Sequence, residues 1–268
     1  MPATRTLRTF PRRAPVLRLA TLALGLGIFC GHATAGELKV LTTGAFKPVV
    51  TEVAKRFSEA TGTQVTVDND TAGALARRVE GGEAFDVLIL TPAALGALQK
   101  SSRVGPGPPV PLAKVGIGVA VKAGAPKPDV STPDAFTAAL RATRKVAMID
   151  PASGGSSGIY LVGLFERMGI ADEVKAKAVL VPGGLVATRV VSGEADLAIH
   201  QVSEILAVPG AELVAPLPAT IQNYTIYAGA LAPNPSNPSN ADNAASFLAT
   251  LAAPDMAPVL AAKGMEKP

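Results

Sequence analysis

The sequence predicts an α/β fold of two Rossmann-like lobes joined by two crossing strands, with a ligand cleft between the lobes. Three observations carry this prediction. From residue 38 onward, short apolar runs alternate with segments of helical period, the pattern of parallel strands covered by helices. The Pro-Gly tract GPGPPVP at 105–111 interrupts the rhythm, and an apolar run at 115–121 restarts it as a first crossing. A second apolar run, at 224–231, leads back after the second α/β series and reads as the return crossing. The lobes implied are 36–116 with 226–268, and 117–225.

Residues 1–35 stand outside this scheme. Arg5, Arg8, Arg12, Arg13 and Arg18 precede or enter an apolar run at 19–29, and Ala33-Thr34-Ala35 follows. A basic head, a short apolar core and an A-x-A site read as a secretory leader cleaved before Gly36, which places the mature chain in the periplasm. The run is too short to remain as a membrane span. Cys30 offers a lipoprotein alternative, but bulky Phe29 fits that processing poorly. Arg12-Arg13 has the look of a twin-arginine signal, with Pro15 where that pattern wants a large apolar residue. The leader carries five of the 25 basic residues and no acidic ones, so the mature chain has 20 against 21. The +4 net charge of the whole chain therefore says nothing about nucleic acid, and no nucleic-acid partner is expected. Cys30 and His32 leave with it. The mature chain then has no thiol or disulfide, and His200 is its one histidine, which argues against a zinc site or a Ser-His-Asp triad. No cofactor is called for.

The elements follow in order. An apolar strand at 38–41 ends at Thr42-Thr43-Gly44-Ala45. A helix over 46–61 buries Val49, Val50, Val53 and Phe57 and stops at Gly62. Val65 and Val67 alternate with polar residues in a strand ending at 68–73. A helix over 74–80 sets Leu75 and Val79 four apart, and 86–90 is the third strand. Thr91-Pro92 opens the next helix, 93–100. In the second series, 123–129 is a surface loop, and Ser131-Thr132-Pro133-Asp134 is a strong helix start. The run at 146–149 is a buried strand that breaks into DPASGGSSGIY, 150–160, whose last residues open a helix. A strand at 178–181, a Pro-Gly-Gly turn at 182–184, a helix at 185–192 and a strand at 195–199 complete this lobe. The polar tract 233–240 reads as a loop. Two helices, 240–251 and 254–263, finish the chain against the first lobe.

Four strand ends carry small or polar residues before helices: 42–45, 69–73, 152–157 and 182–184. Ligands of parallel sheets sit at such carboxyl ends, and helix N-termini offer free N–H groups that suit an anion. Any one of these loops is explained by helix capping, the commonest job of Ser, Thr and Gly there; four together point to a site. The candidates are Thr43, Gly44, Ala45, Thr71, Gly73, Ser156, Ser157 and Gly183. His200 and Gln201 add larger polar groups at a fifth strand end. His200 reads equally as an inert buried histidine or as a ligand contact, and Gln201 as a neutral donor and acceptor. Glu204 reads as a cap or ion-pair partner, or more sharply as a general base. Arg77, Arg78 and Arg189 read as solvated helix faces.

ALARRVEGGEAFDVLI (74–89), IDPASGGSSGIY (149–160) and VVSGEADLAI (190–199) together resemble the periplasmic molybdate-binding branch of the two-lobed, type II periplasmic binding proteins, over nearly the whole mature chain. That resemblance implies a monomeric receptor that closes over a small anion and presents it to an ABC transporter permease in the inner membrane. It also implies an oxyanion held at Ala45, Gly73, Ser157, about Gly183, and Gln201. Ala45 and Gly73 lack the hydroxyls of that pattern, with Thr43 and Thr71 close by, and Gln201 stands in place of a Tyr. HQVSEI (200–205), with the SGIY helix start, is also similar to the related branch that includes periplasmic aconitate isomerase. This second resemblance implies proton transfer on a tricarboxylate, with His200 or Glu204 as the acid–base group and Lys47 as the nearest cation. The small neutral donors favour the receptor.

Overall fold

The computed structural model describes residues 1–4, 36–234 and 238–268, so the leader and the middle of the 233–240 tract lie outside the described residues. Two five-stranded mixed sheets form the two lobes. The first has the order β2 (Gln64–Asp70), β1 (Glu37–Thr43), β3 (Val87–Leu90), then β10 (Thr225–Leu231) and β4 (Val110–Val115). The second has β7 (Ala178–Val181), β6 (Val146–Ile149), β8 (Leu197–Gln201), β5 (Ile117–Lys122) and β9 (Ala211–Pro216). In each sheet four strands run one way, and one, β10 in the first and β5 in the second, lies antiparallel between two of them.

Strand periodicity fixes the two faces of each sheet. Val87 and Ile89 enter one core with Leu38 and Val40, while Leu88, Leu90 and Leu41 enter another. In the second sheet Val146, Met148, Leu197 and Ile199 face one core, and Ala147, Ile149 and Ala198 the other. Both faces are covered by helices, which is why these strands read as continuous apolar runs. Helix α1 (Lys47–Thr61) buries Val49, Val50, Val53 and Phe57, and ends on Gly62 in the left-handed region at φ 73°. Threonine caps open three helices: Thr71 for α2 (Ala72–Glu80), Thr91 for α3 (Pro92–Lys100) and Thr132 for α4 (Pro133–Ala142). Helix α5 (Ser156–Arg167) follows a short 3₁₀ turn, and α6 (Ala171–Lys175) leads to β7. Helices α7 (Thr188–Ser192) and α8 (Val202–Leu206) flank β8. Helix α9 (Pro238–Ala252) packs Phe247 edge-on to Phe57 at 5.2 Å, and α10 (Ala257–Ala262) ends the chain's helices.

Several sequence expectations are corrected. Val110 and Pro111 belong to β4 rather than to a break, because β4 is an edge strand whose sequence can spare an N–H. The apolar run 115–121 is two strands in different sheets, divided at Gly116. The helix read at 185–192 is confined to α7, and the 233–240 loop yields its last three residues to α9. Helix α8 and strand β9 were not read as elements.

The connections between the sheets are Gly116 and the segment 217–224. Gln222 ties them: Ile117 N–H donates to its Oε1 at 2.8 Å, and its Nε2 donates to Ile117 O at 2.9 Å. A Cβ at Gly116 would lie 3.1 Å from this amide. Tyr160 on α5 donates its hydroxyl to Ile221 O at 2.9 Å, so the helix that starts in the cleft is tethered to the return segment.

Candidate functional site

The carboxyl ends of β1, β2, β6 and β8 converge between the sheets on a cavity of about 30 Å³. The space is small but open to one side, and the loops of the two lobes meet beside it. They touch through the second and third loops. Thr71 Oγ1 donates to Ser153 O at 2.6 Å, and Gly73 N–H donates to Gly154 O at 3.2 Å. Gly154 sits at φ 82°, and a Cβ on it would lie 2.6 Å from Gly73 Cα. Only glycine allows two backbones to meet this closely.

Thr43, Gly44, Ala45, Thr71, Ser156, Ser157, His200, Gln201 and Glu204 all line the cavity. Gly73 does not; it makes the contact between lobes just described. Gly183 does not either; its neighbour Gly184 is the residue of that turn on the lining, and a Cβ on Gly183 would lie 3.9 Å from Asp70 Oδ1. Thr71 lines the cavity with its hydroxyl already committed, since it donates to Ser153 O and accepts from Ala74 N–H at 3.1 Å. It does not make good the hydroxyl that Gly73 lacks. Lys47 is exposed in an outer groove with Thr51 and Lys55, away from the cavity. Among the described residues lining the cavity there is no Lys or Arg.

Free hydrogen-bonding groups face this space. Gly155 provides no side-chain cap for α5, which leaves its first N–H groups for other acceptors. Thr43 Oγ1, His200 Nδ1 and Gln201 Oε1 are buried without a partner in the protein. Gln201 Nε2 donates to Thr225 Oγ1 at 2.8 Å and to Ser156 Oγ at 3.2 Å. Both partners are hydroxyls, which can also donate, so the amide can turn over and offer N–H to the cavity instead.

Glu204 is the largest departure from a simple donor cage. It lies in the short helix α8, directly after β8, and is 8 % exposed. Its side chain reaches from the second lobe to the first loop: a Cβ on Gly44 would lie 2.5 Å from Glu204 Oε1. Gly44 therefore makes room for this carboxyl. His200 Nε2 lies 3.4 Å from Glu204 Oε2. Burial pushes Glu204 up to about 8 and His200 down to about 3, so near pH 7 the pair is neutral rather than ionic.

Tyr227 and Thr225, which the sequence reading passed over, come from β10. They point to the same side, two residues apart, and Tyr227 is buried on the cavity wall against Phe46 at 6.2 Å. Its hydroxyl is held well above the ordinary phenol range by burial and then by Glu204, and it is directed at Ser156 and Thr43. The approach to Thr43 falls short of a formed hydrogen bond, and Thr43 Oγ1 stays without a partner. The available signal was the alternation in TIYAGAL, a strand read only as a crossing. Asn69 and Asp70, at the end of β2, complete the polar lining.

Residues 38–266 match the model of the family described as bacterial extracellular solute-binding protein. The chain belongs to that family. The chain is also 34% identical over 263 residues to an aconitate isomerase from a Pseudomonas species, covering 96% of this chain and 97% of that one. The family's fold recurs in the periplasmic molybdate-binding protein of Azotobacter vinelandii, at TM-score 0.71 and 20% identity, over 86% of this chain and 99% of that one. It recurs again in the sulfate-binding protein of Mycobacterium tuberculosis, at TM-score 0.66 and 18% identity, over 87% of each chain. The two-lobed fold of the periplasmic binding proteins is thus the fold of this chain.

Proposed function

We propose that this protein is an exported isomerase of the aconitate type, using a solute-binding cleft to move a proton along an unsaturated small carboxylate. The observation that carries this is Glu204, a carboxyl buried in the cleft, held near neutral pH by its surroundings and touching both lobes. A group of that kind suits general acid–base work. The share of complexes in which Glu204 has given up its proton reacts: that carboxylate takes a proton from the methylene carbon next to the double bond. The double bond shifts by one carbon, and the same carboxyl delivers the proton to the former vinylic carbon. One C–H bond breaks, one forms, and nothing else is consumed. The uncapped N–H groups of α5, with Thr43, face the place where charge develops on the adjacent substrate carboxylate. His200 is a positioning residue that steadies Glu204 through Nε2. The 34% identity to an aconitate isomerase across nearly both whole chains supports the same reading.

The second reading is a receptor that closes on a small oxyanion and delivers it to an ABC permease. The absence of Lys and Arg among the described lining residues favours it, since three carboxylates would ordinarily call for cations. In both readings residues 36–116 with 226–268 move against 117–225, hinged at Gly116 and the segment held by Gln222. The leader 1–35 directs the chain to the periplasm, where it works as a monomer. Incubation with cis-aconitate, followed by chromatography for trans-aconitate, tests the choice. Turnover lost in Glu204→Gln supports the isomerase, whereas tight molybdate binding without turnover supports the receptor.

A further inference from the structure

An anion lodged between the first loop and the start of α5 shares one small cavity with the Glu204 carboxyl. The groups facing that carboxyl come from several elements: His200 on β8, Tyr227 on β10, Asn69 and Asp70 at the end of β2, and Gly44 in the first loop. None of them is a cation near neutral pH, because His200 is held neutral by its burial. Asp70, an acid on the same lining, accepts from Thr71 N–H at 2.7 Å and has Arg78 at 3.8 Å, and Arg78 itself lies off the lining, so no positive charge reaches the cleft from this loop. A second negative charge in so small a space strongly disfavours ionisation of the first.

We propose that the cleft takes its anion together with one proton, which rests on the Glu204 carboxyl, so that the true ligand is an anion–proton pair. This rests on the cleft being an anion site and not on its turning the anion over. A protonated Glu204 donates its O–H to a ligand oxygen that would otherwise meet only an acceptor. It also fits the place of Gly44: the carboxyl must sit close enough to the first loop to share a ligand with it, and any side chain there would push it away. The raised proton affinity of Glu204, ionising near pH 8, sets where the coupling becomes visible. Below that the proton is already in place. Above it, binding must draw the proton from solvent.

Isothermal titration of the purified protein with trans-aconitate, and separately with molybdate, from pH 7 to 9.5 in two buffers of different protonation enthalpy, reads this directly. The expected result is uptake that approaches one proton per anion bound at pH 9, with affinity falling about tenfold per pH unit above pH 8. Glu204→Gln is expected to bind without proton uptake and without that slope. Wild-type affinity independent of pH, with heats independent of buffer, would overturn the proposal without recourse to any variant. Proton uptake unchanged in Glu204→Gln would overturn it as well, by placing the proton elsewhere. So would failure of both anions to bind at pH 7. Molybdate binding with proton uptake, and no binding of aconitate, would sink the isomerase reading and leave this one standing.

Discussion

Replacing Glu204 with Gln keeps the size and shape of the side chain and removes its ionisation. In the folded protein Glu204 stays protonated up to about pH 8, whereas in the unfolded chain it ionises near 4.5. Between those values the folded state holds the proton and the unfolded state has lost it, so stability falls as pH rises. At about 1.4 kcal/mol per pH unit, the difference in stability between Glu204→Gln and wild type should move by about 3 kcal/mol in favour of the variant between pH 5.5 and 8. His200 acts with the opposite sign. Its folded value near 3 lies below the ordinary 6.5, so its contribution is present above pH 6.5 and lost as pH falls towards 3. It is common to both proteins and cancels in the difference. Urea unfolding at pH 5.5, 6.5, 7.5 and 8.5, followed by circular dichroism, supplies the four differences. A variant whose stability runs parallel to wild type across that range would refute the burial of an ionisable carboxyl, and with it the acid–base role.

Gly44→Ala sets a methyl 2.5 Å from Glu204 Oε1, the far end of a flexible side chain, which must swing aside; aconitate turnover should fall at least tenfold, with an unfolding cost of no more than about 1 kcal/mol read from urea melts. Gly154→Ala strains a residue at φ 82° and drives a Cβ to 2.6 Å from Gly73 Cα, so the two loops separate. Small-angle scattering should show a larger radius of gyration, and titration a weaker affinity, by roughly tenfold (about 1.4 kcal/mol). Tyr227→Phe keeps the packing on Phe46 and removes the hydroxyl directed at Ser156 and Thr43. Steady-state kinetics should show about a tenfold loss in kcat/KM, while thermal melts shift by no more than corresponds to about 1 kcal/mol.

The architecture was legible wherever burial leaves a plain pattern. Both-face burial of β3 and β6 makes them uninterrupted apolar runs, and Thr-Pro pairs mark the starts of α3 and α4. It was less legible where tertiary context overrides local chemistry. Pro111 is tolerated because β4 lies at an edge, and α8 is a five-residue helix too short to show a period. The loops of the site could be named because strand ends in parallel sheets share one composition. What each residue does there could not. Thr71 and Gly73 prove to be closure contacts, and Gly184 displaces Gly183. Gly44, read as a ligand contact, is on the cavity lining and also makes room for Glu204. Tyr227 and Thr225 arrive from a strand 24 or more residues beyond Gln201, which no local motif announces. The sequence favoured an oxyanion receptor on its small neutral donors. The burial of Glu204, visible only in three dimensions, is the observation on which the proposed proton transfer rests.

The most direct test is the fate of cis-aconitate incubated with the protein in deuterium oxide and followed by proton NMR. The account predicts trans-aconitate at a rate proportional to protein, with deuterium entering the allylic carbon wherever the Glu204 proton exchanges with solvent, and no such signal with Glu204→Gln. Unchanged cis-aconitate in the presence of protein that binds it would contradict the account and leave a receptor in its place.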